Sequence, residues 1–480
     1  MGASTANCET PTAVIKFGAD PRAKDDLLPP HRILHRPLPV DRRRFNPVDI
    51  GLLIVAAGCL LLYARMALTG VGNTLYSDLH QFRQCQTAIS CQWMLKHSRL
   101  VLFYETPVLG PPWSIPFEFP IYQWLACIVA RCFWCRLEIA GRAVSILFHL
   151  ATIPAFYIAA VPLGLPRDFA TTAACLWLVS PFAAFWSRTF MIESTATCFG
   201  AWFAACMMHG SPGWLMAGVV CGALCGLVKV TTWPPYVCAI GLFAAFHRWP
   251  WQFPLAVASI APALLWTRAA DACKRLNPIA RTMLVSNLPA HRQWMFGTWR
   301  ERFSRANWQL FLSPARTGRL LAYWIPLLAC IPFCRHWSAF AGCVVAALVS
   351  PILFPRLWFH HEYYAAAVAP LCLFAVALLI ASLGWPAVAV MACGCYRLWV
   401  GAYAPMQHRD NHSLDGLVVQ VNAQCPPDAV LLIRGHDWDS TIPYVTGRRA
   451  LMIPNWPTLK QEDVNAAMKS LEGFQVFQLN

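Results

Sequence analysis

"FPIYQWLACIVARCFWC", residues 119–135, decides how the rest of the chain is laid out. The stretch is apolar, but it follows the Pro-rich "PPWSIPFE" of 111–118 and is interrupted by Arg131 and Arg136. If it crosses a bilayer, the chain has twelve spans and its polar tail returns to the side of the N-terminus. If it lies flat as an interfacial helix, there are eleven spans and the tail faces the other side.

The remaining runs are less ambiguous. Of 480 residues, 57% are hydrophobic and 13% charged, about half the charged fraction of a soluble domain. Apolar segments recur at 49–69, 142–163, 169–186, 190–208, 213–228, 233–247, 252–267, 319–333, 337–354, 363–383 and 385–401, several near the ~20 residues needed to cross a hydrocarbon core. The composition indicates a polytopic all-α membrane protein. Long runs that are apolar on every face exclude the alternating strands of a membrane β-barrel.

Eleven spans gather Asp78, Arg142, Arg188, Glu193, Lys229, the 268–318 loop and "FPRLWFHHEYY" (354–364) on the outer side. Twelve spans scatter them, so eleven is the expected count. The 268–318 loop opposes this choice, with nine basic residues against Asp271 and Glu301, because basic loops favour the cytoplasm. The expected parts are a cytoplasmic basic, Pro-rich tail (1–47), a membrane domain (48–402) with outer loops at 70–141 and 268–318, and a small α/β domain (403–480). Arg32, Arg36, Arg42, Arg43 and Arg44 before the first span put the N-terminus in the cytoplasm.

The net charge of +15 points to phospholipid headgroups or a phosphorylated lipid as partners, not to nucleic acid. Many of the 21 cysteines lie in apolar runs, where they act as small hydrophobes, and "CFWC" (132–135) lacks a thioredoxin context.

The densest polar cluster is "NTLYSDLHQFRQCQTA" (73–88), just past the first span. Asp78 suits the N-cap of a short helix, and it equally suits a general base that takes the proton of an attacking hydroxyl. Arg83 can pair with Asp78 or grip a phosphate, and His80 and Gln84 lie within a turn or two. Glu118, among aromatic and Pro residues, is either a second site carboxylate or an interfacial charge. Arg142 in "GRAVSILFHL", Arg188 and Glu193 in "SRTFMIEST", and Lys229 in "LVKVTTWPP" are each at helix ends. Singly such cations are snorkelling anchors; converging with Asp78 they make a phosphate-binding group. Arg356, His361 and Tyr364 belong to the second dense motif. The adjacent His360 and His361 raise a divalent metal, but neighbours on a helix diverge, so hydrogen bonds to phosphate or sugar are the expected use.

"SDLHQFRQCQTA", "EFPIYQW", "GRAVSILF", "SRTFMIEST", "LVKVTTWP" and "HHEYYAAAVAPL", in this order over roughly residues 50–400, resemble bacterial glycosyltransferase family 39. That family includes the protein mannosyltransferase and aminoarabinose transferase-like integral membrane enzymes of the GT-C type. The resemblance implies a GT-C bundle with periplasmic interfacial helices in the bacterial inner membrane. It implies inverting transfer of a hexose or pentose from a polyprenyl-phosphate donor to a lipid, glycan or protein hydroxyl at the periplasmic face. It further implies Asp78 as the base and a horizontal helix at 119–135, with Arg142 and Glu193 matching family positions. Many relatives pair two acidic residues in the first loop, whereas Leu79 and His80 follow Asp78 here, leaving Glu118 or His80 to share the acid–base work.

No nucleotide-binding glycine loop is present, which fits a lipid-linked donor; the sequence establishes no cofactor, and a divalent metal stays open without a motif to support it. The rival reading is a transporter or flippase of a lipid-linked glycan. It predicts midplane charges and related halves, and the sequence has neither. The tail "DAVLLIRGHDWDSTIPYVTGRRALMIPNW" (428–456) reads as strand, helix, strand, with Asp437 and Asp439 as caps and Arg434, Arg448 and Arg449 available to lipid or acceptor.

Overall fold

A computed structural model describes residues 47–247, 250–287, 294–313, 317–321, 331, 332 and 334–479. The basic residues Arg32 to Arg44, Arg292, Arg316 and most of the expected span at 319–333 lie outside the described residues.

The stretch at 119–135 forms a helix over Ile121–Cys132. Its 12 residues rise about 18 Å, well short of a ~30 Å hydrocarbon core. One side packs inward through Tyr122, Ala126 and Cys127, while Ile128, Phe133 and Trp134 are exposed.

In chain order the helices are α1 (Pro47–Leu68), α2 (Gln81–Lys96), α3 (Ile121–Cys132), α4 (Leu137–Ala151), α5 (Ile153–Ala160), α6 (Arg167–Val179) and α7 (Pro181–Trp186). Then come α8 (Glu193–Met207), α9 (Pro212–Val228), α10 (Trp233–His247), α11 (Gln252–Ala258) and α12 (Ala261–Lys274). Among the described residues, Ile50–Leu68, Leu137–Ala160 and Gln252–Lys274 are long and apolar enough to cross a membrane. Further helices at Trp337–Leu353, Ala369–Ile380 and Trp385–Ala402 complete the apolar bundle.

Local sequence sets the breaks. Ser180 caps α7, its hydroxyl accepting from Ala183 N at 3.4 Å, and Pro181 fills the first helical position, where no amide proton is needed. Pro212 starts α9 in the same way, and α9 stops where Lys229 turns extended. The apolar core runs through Tyr63, Phe169, Trp177, Phe185, Phe374 and Trp399, with a second cluster of Phe203, Tyr236 and Phe243 between α8 and α10.

The C-terminal segment holds three parallel strands, β1 (Val430–Arg434), β2 (Arg449–Ile453) and β3 (Val476–Leu479), in the order β2-β1-β3. The outer edge of β2 is covered by residues 107–110. Ala450 N donates to Pro107 O at 2.9 Å, and Leu109 bridges Leu451 antiparallel. Strand residues Val430, Leu431 and Leu451 share one buried cluster with Ile115, Tyr122 and Phe190, so the sheet and the 70–141 segment have a common core.

Small residues let the helices approach closely. At Gly200 of α8 an added Cβ would overlap the Tyr236 ring of α10. Gly200→Ala is therefore expected to cost ~1–3 kcal/mol. A lowered unfolding temperature in detergent would check this, and an unchanged one would mean that Tyr236 moves aside freely.

Candidate functional site

The chain leaving α1 is pulled inward. Gly70 has φ 66°, and a Cβ there would collide with Gln407 O, so the position requires glycine. From this turn the carbonyls of Gly70, Val71, Asn73 and Thr74 point at two guanidinium groups. Arg142, on α4, donates through Nη1 to Val71 O at 2.9 Å and Asn73 O at 2.5 Å. Arg188, just past α7, donates through Nη2 to Gly70 O at 2.7 Å.

Asp78 lies between them. Its Oδ2 accepts from Arg142 Nη2 at 2.9 Å and its Oδ1 from Arg188 Nη1 at 3.2 Å. All three side chains are 0% exposed. Asp78 is thus not the cap of α2: that position is taken by His80 in the left-handed conformation, φ 54° and ψ 44°. Arg142 is spent on carbonyls and Asp78 and offers no open face to a phosphate. Gln84 is buried too, accepting from Phe190 N at 2.9 Å and donating to Leu79 O at 3.0 Å.

A second polar group lies nearer the surface. Arg83 pairs with Glu118, not with Asp78, and donates to Gln86 Oε1 at 2.5 Å. Glu118 is held by its backbone, whose carbonyl accepts from Tyr104 Oη at 3.0 Å. Lys229, just after α9, donates to Glu193 Oε1 at 2.7 Å, with Glu193 as the first residue of α8. The other oxygen, Glu193 Oε2, is buried without a hydrogen-bond partner among the described residues. The Lys229 ammonium lies 4.0 Å from the ring centre of Tyr364 and 4.9 Å from that of Tyr363. Burial pulls the Lys229 pKa down and nearby Arg83 adds to this, while Glu193 opposes both.

His361 stacks on Tyr363 at 5.4 Å, and His80 meets Tyr363 edge-on at 4.9 Å. Burial, with His80, His360, Lys229 and Arg83 adding to it, lowers the His361 pKa to about 4. The ring is therefore neutral at neutral pH and can donate from one nitrogen and accept at the other. The adjacent His360 stacks on Trp294 at 6.0 Å, and His361 meets the same indole edge-on at 6.3 Å. No group of three His, Cys, Asp or Glu side chains that could hold a metal occurs among the described residues.

Arg356 is apart from these groups, donating to Glu301 at 2.6 Å. Arg319, which the sequence reading did not single out, lines a pocket of about 370 Å³ with Leu79, His80, His360 and Glu362. It faces Glu362 at 3.8 Å. Its position in a polar step between two apolar runs was the available signal.

No family model and no curated protein matches the sequence. The fold is nevertheless similar to solved structures. It resembles ArnT from Cupriavidus metallidurans bound to undecaprenyl phosphate, with a TM-score of 0.60 and 15% identity over 89% of each chain. The apo state of that protein gives 0.56 and 14%, again over 89% of each chain. The oligosaccharyltransferase AglB from Archaeoglobus fulgidus, in complex with an inhibitory peptide and a dolichol-phosphate, gives 0.53 and 10%, over 88% of this chain and 68% of that one. The mostly helical fold is thus similar to that of ArnT and AglB, in keeping with the helical bundle that the sequence resemblance implies.

Two outcomes follow from this geometry. Asp78→Asn leaves two buried guanidinium groups without their anion, a loss expected to cost ~3–5 kcal/mol, read as a lowered unfolding temperature in detergent. A retained unfolding temperature would mean that the carbonyls alone hold Arg142 and Arg188. For His361, the unfolded chain takes up a proton near pH ~6.5 and the folded one only at about 4. Between those values the unfolded state binds more protons, so the folded protein loses stability as pH falls from 6.5 to 4. In His361→Gln the fall in unfolding temperature over this window should be shallower than in the wild type.

Proposed function

We propose that this protein transfers a sugar from a polyprenyl-phosphate-linked donor to an acceptor hydroxyl at the outer face of a bacterial inner membrane, with inversion at the anomeric carbon. The observation that carries the reading is the pair of neighbouring ion pairs, Arg83–Glu118 and Lys229–Glu193, under Tyr363, Tyr364 and a neutral His361. Two cations suit a phosphodiester, and two carboxylates suit proton removal from a hydroxyl. The fold shared with a structure that holds undecaprenyl phosphate supports a lipid-linked donor. The reading keeps eleven spans, a cytoplasmic N-terminus and an outer C-terminal segment.

In this reading Lys229 and Arg83 bind the donor phosphate, and His361 and Tyr364 hydrogen-bond to phosphate or sugar. The acceptor oxygen attacks the anomeric carbon as the bond to the phosphate oxygen breaks. The polyprenyl phosphate leaves with the bonding electron pair, its charge stabilised by the two cations. The proton goes to Glu118. Its side chain is 17% exposed, against 2% for Glu193 and 0% for Asp78, and a base must come within hydrogen-bond reach of the proton it takes. Glu193 orients Lys229. Asp78, with both oxygens bound by guanidinium groups, anchors the segment that carries Arg83.

The test uses protein in nanodiscs with labelled polyprenyl-phosphate sugars and a membrane extract as acceptor. Glu118→Gln is expected to lose transfer by ~10²-fold or more while still binding undecaprenyl phosphate. Asp78→Asn, normalised to folded protein, should lose far less. The reverse order would return the base to Asp78. Movement of the lipid-linked sugar between leaflets, without transfer, would sink the enzyme and favour a flippase.

A further inference from the structure

The turn that follows β1 reaches the site from the C-terminal segment. It has one well-defined shape. Gly435 and Asp437 have φ of 81° and 53°, the latter an uncommon conformation for a residue with a Cβ. Asp439 Oδ1 accepts from both the amide and the hydroxyl of Thr441, at 2.9 and 2.6 Å. Trp438 lies within this turn, between Asp437 and Asp439.

Its indole meets Phe82 edge-on at 5.0 Å and Phe117 at 5.1 Å, tilted by 33°. Phe82 immediately precedes Arg83, and Phe117 immediately precedes Glu118. One ring from the C-terminal segment therefore joins the two stretches that carry the Arg83–Glu118 pair. Phe117 is gripped elsewhere as well: its amide donates to Tyr104 Oη at 2.9 Å, its carbonyl accepts from Trp266 at 3.1 Å, and Lys274 lies 4.9 Å from its ring centre. Phe82 belongs to the first turn of α2, so Trp438 joins the Arg83–Glu118 pair in bridging that helix to the frame around Phe117.

We infer that Trp438 is a positioning residue: it sets the distance and angle between Arg83 and Glu118, and the C-terminal segment thereby completes the site. The inference rests on the transfer reading above for its chemical consequence, and on the ring contacts alone for its mechanics. Aromatic pairs contribute ~0.5–1.5 kcal/mol beyond burial, and a ~1 Å displacement of a reacting group can cost ~10²-fold in rate. Two such contacts are sufficient to hold the pair in register.

The experiment combines hydrogen exchange with transfer kinetics on the full chain in nanodiscs, for wild type, Trp438→Ala, Trp438→Leu, Trp438→Phe and the exposed neighbour His436→Ala. Expected for Trp438→Ala and Trp438→Leu is faster exchange in peptides covering 81–86 and 115–120, with the bundle helices unchanged. The turnover number should fall roughly tenfold and the donor KM should rise with the displacement of Arg83, Trp438→Phe should recover most of both, and His436→Ala should match wild type. Trp438→Ala added to Glu118→Gln should cost nothing further, because the pair through which it acts is already broken. Unchanged exchange in both peptides, or a loss fully additive with Glu118→Gln, would overturn the inference. If the wild type transfers no sugar, the functional reading fails, and the exchange data still decide whether Trp438 orders these two stretches.

Discussion

The site depends on one carboxylate shared by two buried guanidinium groups. Asp78 can neutralise only one of the charges of Arg142 and Arg188, and all three side chains are removed from water. Desolvating them costs several kcal/mol per ion, which their mutual attraction repays only with good geometry and further hydrogen bonds. The further bonds come from the carbonyls of Gly70, Val71, Asn73 and Thr74. The backbone after α1 is therefore obliged to turn its acceptors inward. Asp410 then secures the outer side of the same turn, accepting from Thr74 N and Ser77 Oγ, each at 3.0 Å. With this stretch fixed, α2 has a fixed origin, and Arg83 lies in its first turn.

The polar residues consequently divide into two layers with different work. The inner layer is closed to solvent: Asp78, Gln84 and the terminal guanidinium nitrogens of Arg142 and Arg188 are bonded to protein, while Nε of each arginine is buried without a partner among the described residues. The outer layer pairs its charges one to one and is roofed by rings that tolerate either a cation or a sugar face, with Lys229 against Tyr363 and Tyr364. Residues that look equivalent in the sequence, each a charge at a helix end, are distinguished by how many acceptors surround them. Helix ends are where such acceptors occur, since the last carbonyls of a helix have no partner within it.

Much of this was legible in the sequence, and for physical reasons. Apolar runs bounded by Pro, Gly and charge give helix limits within a few residues, as at Pro212–Val228 and Trp385–Ala402. The polar residues stood out because so few charges interrupt the apolar runs. Pairing was not legible. Arg83 is five residues from Asp78, close enough in sequence to pair with it or to be left for a phosphate, but it bonds to Glu118, 35 positions away, while Arg142 and Arg188 occupy Asp78. Glu301 likewise takes Arg356 out of the group it was expected to join. Trp438 gave no signal, since a turn residue after a strand carries no record of which helix it touches.

The one-to-one pairing of the outer layer has a consequence for the proposed reaction. In the resting protein Glu118 is held by Arg83, and Glu193 by Lys229. A phosphate arriving at those cations competes with the carboxylates for the same donors, and charge-assisted bonds to phosphate are at least as strong. In the proposed reaction, donor binding would loosen Glu118 from its partner at the moment a base is required. Without the donor, Glu118 stays paired with Arg83 and Glu193 with Lys229. On that reading the cost of building anions into an apolar bundle is met by the cations proposed to bind the donor. This explains why such a site takes balanced pairs and not the excess of positive charge that a phosphate ligand alone would favour.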